Sequence, residues 1–186
     1  MSEVVRLTLV SHAMTDAMAA GRFPVDEPVN ALGHIQVDAS GAQVVEERDV
    51  RAFCGPERRA MQTAELLGLE ADVEERLADL DCGRWRGDAL SDVPPAELVV
   101  WLSEPTRAPH GGESVVDLVD RVAGWLDSLT ADPSRIVAVT HPAVIRAAIL
   151  TALDAPPKSF WRIDIAPVTR TVLHRRADAW TLRCAQ

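Results

Sequence analysis

Apolar and polar positions alternate between two periods along this chain. Val4 to Val10 is a run rich in β-branched residues that stops abruptly at the polar pair Ser11-His12, which predicts a buried strand handing its C-terminal end to a loop. Asn30 is placed to cap a short helix through Leu32, Ile35 and Gln36. Asp49 to Cys54 reads as a second short strand, broken by Gly55-Pro56. From Glu57 the spacing of Ala60, Thr63, Ala64 and Leu67 is helical and ends at Gly68, a usual C-terminal stop.

Residues 82–112 break this rhythm with glycines, prolines, Trp85 and Trp101, and carry one helical stretch from Ala96 to Leu102 behind Pro94-Pro95. They predict an excursion or cap on a single domain spanning 1–186. Ser114 and Asp117 form a capping-box pattern that opens a helix through Val115, Leu118, Val122, Trp125, Leu126 and Leu129. Arg135 to Thr140 is a further apolar strand, His141-Pro142 a turn, and Ala143 to Leu153 an apolar helix. Two β-like runs, Val168 to His174 and Ala179 to Cys184, follow. Strands alternating with helices predict a layered α/β/α domain around a mostly parallel central sheet.

In such domains ligands bind in the crevice at the carboxyl ends of the strands. Three of these ends carry His12, His141 and, just past Gly55-Pro56, Arg59. A lone histidine at a strand end is more often structural; two at equivalent ends with an arginine at a third point to a site. Imidazole attacks phosphorus well near neutral pH, because its ordinary pKa is about 6.5, and forms a phosphohistidine that water can open. Guanidinium presents a planar fork matched to phosphate oxygens. The remaining requirement is a proton donor for the leaving alkoxide, for which a carboxyl group raised in pKa by burial is suited.

Composition narrows the partners. The 186 residues are 47% hydrophobic and 25% charged, ordinary globular usage, with 19 basic against 28 acidic side chains and a net charge of −9. A field of that sign repels polyanions, so nucleic acid is not expected as a partner. No apolar run approaches the roughly 20 residues that span a bilayer, and no basic stretch leads into a long apolar one at the N-terminus, so neither membrane nor secretion is expected. Cys54, Cys82 and Cys184, an odd number at wide spacing, suit reduced thiols in a cytoplasm better than disulfides or a zinc site. No cofactor or metal is expected, since no metal-binding pattern accompanies the histidines. A cysteine phosphatase loop is disfavoured because only four residues separate Cys54 from Arg59 where that loop has five.

The chain resembles the histidine phosphatase superfamily, also called phosphoglycerate mutase-like. Leu9-Val10-Ser11-His12-Ala13-Met14-Thr15 is similar to the family's Leu-Val-Arg-His-Gly-x-Thr. Asp26-Glu27-Pro28-Val29, Gly33-His34-Ile35-Gln36 and Arg59-Ala60-Met61-Gln62-Thr63-Ala64 follow the family order. So do the segment Leu77 to Gly87, Gly111-Gly112-Glu113-Ser114, and Thr140-His141-Pro142-Ala143-Val144-Ile145-Arg146. The resemblance implies His12 as nucleophile, Arg59 as a phosphate clamp, His141 as a second phosphate-side imidazole, and Asp79 as the acid where the family usually has glutamate, with Asp81 as the fallback.

The departures matter as much. Ser11 replaces an arginine that grips phosphate, Ala13 a glycine, Gly55 a serine, and Arg86 a glutamate. Losing one close partner of a charged phosphate costs about 2–5 kcal/mol, roughly two to three decades in rate. The Ser11 hydroxyl remains a donor, and Arg22, Arg84 and Arg86 are candidates to reach the phosphate; Arg22, in the loop after His12, is favoured over the other two. Trp85, Trp101 and His110 could line an organic leaving group, although core packing is the commoner fate of such tryptophans. Two classes of function fit. One is a phosphomonoesterase acting on a small phosphorylated metabolite through a phosphohistidine; the other is a weak or inactive relative that binds a phosphorylated ligand or a protein partner. Both histidines and Arg59 favour the enzyme, while Ser11 and Gly55 favour the binder. A mutase is disfavoured because a chain of this length leaves limited room for segments that exclude water.

Overall fold

A computed structural model describes residues 4–44, 50–129, 135–177 and 179–184. Strand β1 is Val4–Ser11, β2 Arg51–Cys54, β3 Asp72–Val73, β4 Arg135–Thr140, β5 Arg170–Arg176 and β6 Ala179–Arg183. They form one six-stranded sheet in the order β3-β2-β4-β1-β5-β6. The first four positions of that order are joined by parallel pairs, while β5 runs antiparallel to both β1 and β6. Asp49, placed by sequence in the second strand, lies outside the described residues.

The helices are α1 (Asp16–Ala19), α2 (Ala31–Val44), α3 (Arg58–Leu66), α4 (Pro95–Ser103), α5 (Val115–Ser128) and α6 (Pro142–Ala152). Side-chain alternation along the central strands splits the core into two layers. Leu7 and Leu9 of β1 pack with Ala138, with Trp125 and Leu126 of α5, and with Val144 and Ala148 of α6. Val10, Val137 and Val139 face the other way, onto Val37 of α2 and Ala64 of α3. Each such buried aliphatic side chain contributes about 1.5–3 kcal/mol.

The predicted helix starts hold. Asn30 Oδ1 accepts from Gly33 N at 2.9 Å, and Ser114 with Asp117 makes a complete capping box at the head of α5. The helix behind Asn30 is longer than its short apolar pattern suggests, running to Val44. The C-terminal strand begins later than expected, at Arg170, because Val168 adopts φ 54° in the preceding turn. The excursion folds back onto the main body: Trp85, Val93 and Trp101 belong to the same buried cluster as Leu77, Leu118 and Phe160.

Candidate active site

Strand register creates the site. Ser11 and Thr140 are partners on β1 and β4, and His12 N donates to Thr140 O at 2.9 Å, so His12 and His141 leave adjacent parallel strands at one level. Their rings meet edge to face, with centroids 5.1 Å apart. On the other flank of β4, Cys54 pairs with Val139 and Gly55 N donates to Val139 O, which carries the chain into α3 beside His141.

The motif residues between these ends fasten the loops. Thr63 Oγ1 accepts from Ala13 N at 3.0 Å, Gln36 Oε1 from Met14 N, and Gln62 Oε1 from Val29 N. A side chain at Gly33 would place its Cβ 2.5 Å from Met14 O, so α2 approaches the His12 loop only because residue 33 is glycine. Asp26 Oδ1 accepts from Arg58 N at 2.8 Å and closes the first turn of α3 from a distant loop.

His12 is almost fully buried, and its Nδ1 lies 2.8 Å from Ala13 O. A carbonyl only accepts, so Nδ1 carries the proton and Nε2 the lone pair. Burial, reinforced by charge on His141 and Arg59, pulls the His12 pKa down to about 3, which leaves the ring neutral and nucleophilic at neutral pH.

Arg59 is buried and donates from one terminal nitrogen to Val25 O at 3.0 Å and from the other to Asp79 Oδ2 at 2.7 Å. Arg59 Nε and His141 Nδ1 are buried with no hydrogen-bond partner. His141 Nδ1 lies 3.5 Å from Asp79 Oδ2. Burial raises the Asp79 pKa, but the charges of His141, Arg59 and His12 and the Arg59 hydrogen bond outweigh it and hold the carboxyl at about 2. This corrects the expectation of an acid lifted by burial: before an anion arrives, Asp79 is a carboxylate.

Arg121 and Glu113 secure the Asp79 loop. Arg121 donates to Arg76 O and Ala78 O while pairing with Glu113 at 2.7 Å. The glycine pair Gly111-Gly112 lets that segment lie against Asp81, since a Cβ at residue 112 would sit 2.0 Å from Asp81 O. Asp81 turns away from the site, accepting from Gly83 N and pairing with Arg86 at 3.0 Å.

A cavity of about 190 Å³ opens over these groups. His12, Arg59 and Asp79 line it together with Arg22, Arg146, Phe23, Trp101 and Trp161. His141 is not on the lining; wholly buried, it meets the site through Asp79 and the His12 ring.

The structure separates the remaining candidates. Ser11 is corrected as a phosphate donor, because it is fully buried off the cavity and its hydroxyl bonds Ala166 O at 2.5 Å and accepts from Thr169 N at 3.0 Å. Arg22 lines the cavity while donating to Gly87 O. Arg84 pairs with Glu97 away from the cavity. Trp101 is on the wall, whereas Trp85 and His110 pack against each other in the core. Burial, with nearby Asp79 and Asp81, pushes the Cys82 thiol up to about 12, and burial likewise raises Cys54, so neither is a ready thiolate. Sequence reading missed Glu57, Arg146 and Trp161. Arg146 stood in plain view at the end of the Thr140 to Arg146 motif; the other two carry no local signal.

The sequence matches the profile of the histidine phosphatase superfamily (branch 1) over residues 7–186. The chain belongs to this superfamily. Among its relatives, glucosyl-3-phosphoglycerate phosphatase of Mycobacterium tuberculosis is 31% identical over 176 residues, covering 84% of this chain and 78% of the relative. Phosphoserine phosphatase 1 of Hydrogenobacter thermophilus is 26% identical over 183 residues, covering 92% and 87%. The solved structure of a mycobacterial glucosyl-3-phosphoglycerate phosphatase with VO3 superposes with a TM-score of 0.86 at 26% identity over 96% of each chain. The histidine phosphatase fold is therefore present. Among the described residues no helix is long and apolar enough to cross a membrane.

Proposed function

We propose that this histidine phosphatase is a phosphomonoesterase working through a phosphohistidine at His12. The observation that carries the reading is that one cavity is lined by His12, whose Nδ1 is engaged by Ala13 O, and by the paired Arg59 and Asp79. His12 Nε2 attacks phosphorus, and the P–O ester bond breaks with its electron pair on the leaving oxygen, which takes a proton from Asp79. Water then gives that proton back to Asp79 while attacking the phosphohistidine; the P–N bond breaks and phosphate leaves. An arriving phosphate adds negative charge beside Asp79 and competes for Arg59, and both effects favour the protonated acid that the first step needs.

The substrate we assign is a small phosphate ester bearing a second anionic group. Arg22 and Arg146 line the cavity beyond the reacting residues, and both enzyme names among the relatives denote carboxylate-bearing esters. Arg146 also supplies cationic charge to a cavity that Ser11 cannot serve. The catalytic reading requires no metal, because the phosphoryl charge is met by the guanidinium groups of Arg59, Arg22 and Arg146 that line the cavity. Free Cys54, Cys82 and Cys184 support a cytoplasmic site of action.

The test is turnover of an aryl phosphate with and without chelator, beside His12→Ala. Chelator-insensitive hydrolysis that vanishes in the variant supports the reading. Hydrolysis that survives in His12→Ala moves the nucleophile elsewhere, and phosphate binding without turnover in the parent leaves a binding protein.

A further inference from the structure

Glu57 occupies a place that the reaction scheme above does not use. It stands at the head of α3, yet its carboxylate makes no capping bond there, and Arg58 N is served by Asp26 instead. Glu57 Oε2 lies 2.7 Å from His141 Nε2, and Oε1 accepts from Asp79 N at 2.9 Å. The carboxylate is mostly buried, with 19% of the side chain exposed. Burial opposes its ionisation, but the hydrogen bond and charge of His141 outweigh it and hold Glu57 below the usual carboxylate range.

Gly55 makes this arrangement possible. A Cβ at residue 55 would fall 2.9 Å from His141 Nε2, 3.2 Å from Glu57 Oε2 and 2.8 Å from Leu77 O. Any side chain there would occupy the space through which Glu57 reaches the ring. Because a carboxylate only accepts, Nε2 of His141 carries a proton, and Nδ1 is the atom left facing Asp79. The titratable and charged groups around this ring are Glu57 from the head of α3, Asp79 from its loop, and His12 from the end of β1, with Arg59 behind Asp79.

We propose that Glu57 is a positioning residue: one carboxylate fixes both the His141 ring, by Nε2, and the Asp79 backbone, by its N–H, where Gly55 offers no side chain. The inference rests on Asp79 and His12 reacting as described above. Two separate acceptor oxygens are needed, and an amide supplies one. Glu57→Gln, of equal size, therefore loses one of the two contacts, and Glu57→Ala loses both.

The experiment combines aryl phosphate kinetics with ¹⁵N NMR of the histidine ring nitrogens in the parent, Glu57→Gln and Glu57→Ala, after thermal melting shows each to be folded. In the parent, His141 is expected to show a protonated Nε2. In Glu57→Ala that ring is expected to become a tautomer mixture, with kcat reduced about tenfold to a hundredfold, the scale of a small misplacement of reacting groups, and KM little changed. Glu57→Gln should fall between and keep the fold. Unchanged kcat in folded Glu57→Ala overturns the proposal, as does a parent His141 without a proton on Nε2. An inactive parent would remove the proposed function, while the ring nitrogens would still decide whether Glu57 fixes His141.

Discussion

Ser11 and Thr140 face each other across two neighbouring parallel strands, and that register places His12 beside His141 although 129 positions separate them in the chain. With the Nδ1–H of His12 held by Ala13 O, only Nε2 can attack. His12→Ala is expected to lose at least about three decades of kcat, the scale of removing a covalent nucleophile. Acid-labile, base-stable phosphoprotein, trapped from the parent by rapid quench, should be missing from the variant.

His12 also ties stability to pH. Its folded pKa is about 3 against 6.5 for an ordinary imidazole, so as pH falls the unfolded chain takes up this proton first. Its contribution is complete above pH 6.5 and is lost as pH drops toward 3, at roughly 1.4 kcal/mol per pH unit. Denaturant midpoints of the parent should fall between pH 6.5 and 5 more steeply than those of His12→Gln; parallel curves would contradict the burial argument.

Asp79 must be protonated to serve as acid, so kcat should decline as pH rises through its pKa in the complex. Asp79→Asn is expected to lower kcat and remove that alkaline limb. A pH–rate profile of the variant that kept the parent's alkaline limb would transfer the role to another group. Stability shows the opposite dependence. The folded pKa of about 2 lies below the 3.8 of an ordinary aspartate, so the Asp79 contribution is present above pH 3.8 and disappears toward pH 2.

Arg59 and Asp79 form a buried pair, 1% and 18% exposed. Removing one partner leaves an uncompensated charge, so Arg59→Met should cost about 3–5 kcal/mol of stability. The same variant should lose the thermal protection given by inorganic phosphate, measured as the shift in Tm at saturating anion.

The Ser11 hydroxyl ties β1 to the turn entering β5 through Ala166 and Thr169. Ser11→Ala should destabilise by about 1–3 kcal/mol, the cost of stranded buried partners, with KM for phosphate esters unchanged. A raised KM without loss of stability would restore Ser11 to the cavity.

The strands and both histidines were legible because each apolar run ends abruptly at a polar residue, and strand ends are where α/β sites form. The capping box at Ser114 and the Asn30 cap were legible for the same local reason. What the sequence hid depends on distance in space. Asp79 reads as an acid, but its ionisation is governed by Arg59 and His141, brought from 20 residues before and 62 after it. Ser11 reads as a donor, but a one-residue step along a strand reverses the facing of a side chain, and His12 rather than Ser11 reaches the cavity. Glu57 looks like one charge among many at a helix start, and only the tertiary approach of β4 gives it an imidazole to hold.

Trp101 belongs to α4 in the excursion, whereas His12 and His141 are carried by the two central strands. On the proposed reading, replacing Trp101 is expected to alter KM among phosphate esters more than kcat, because the surface it gives the cavity stands on a different element from His12 and Arg59.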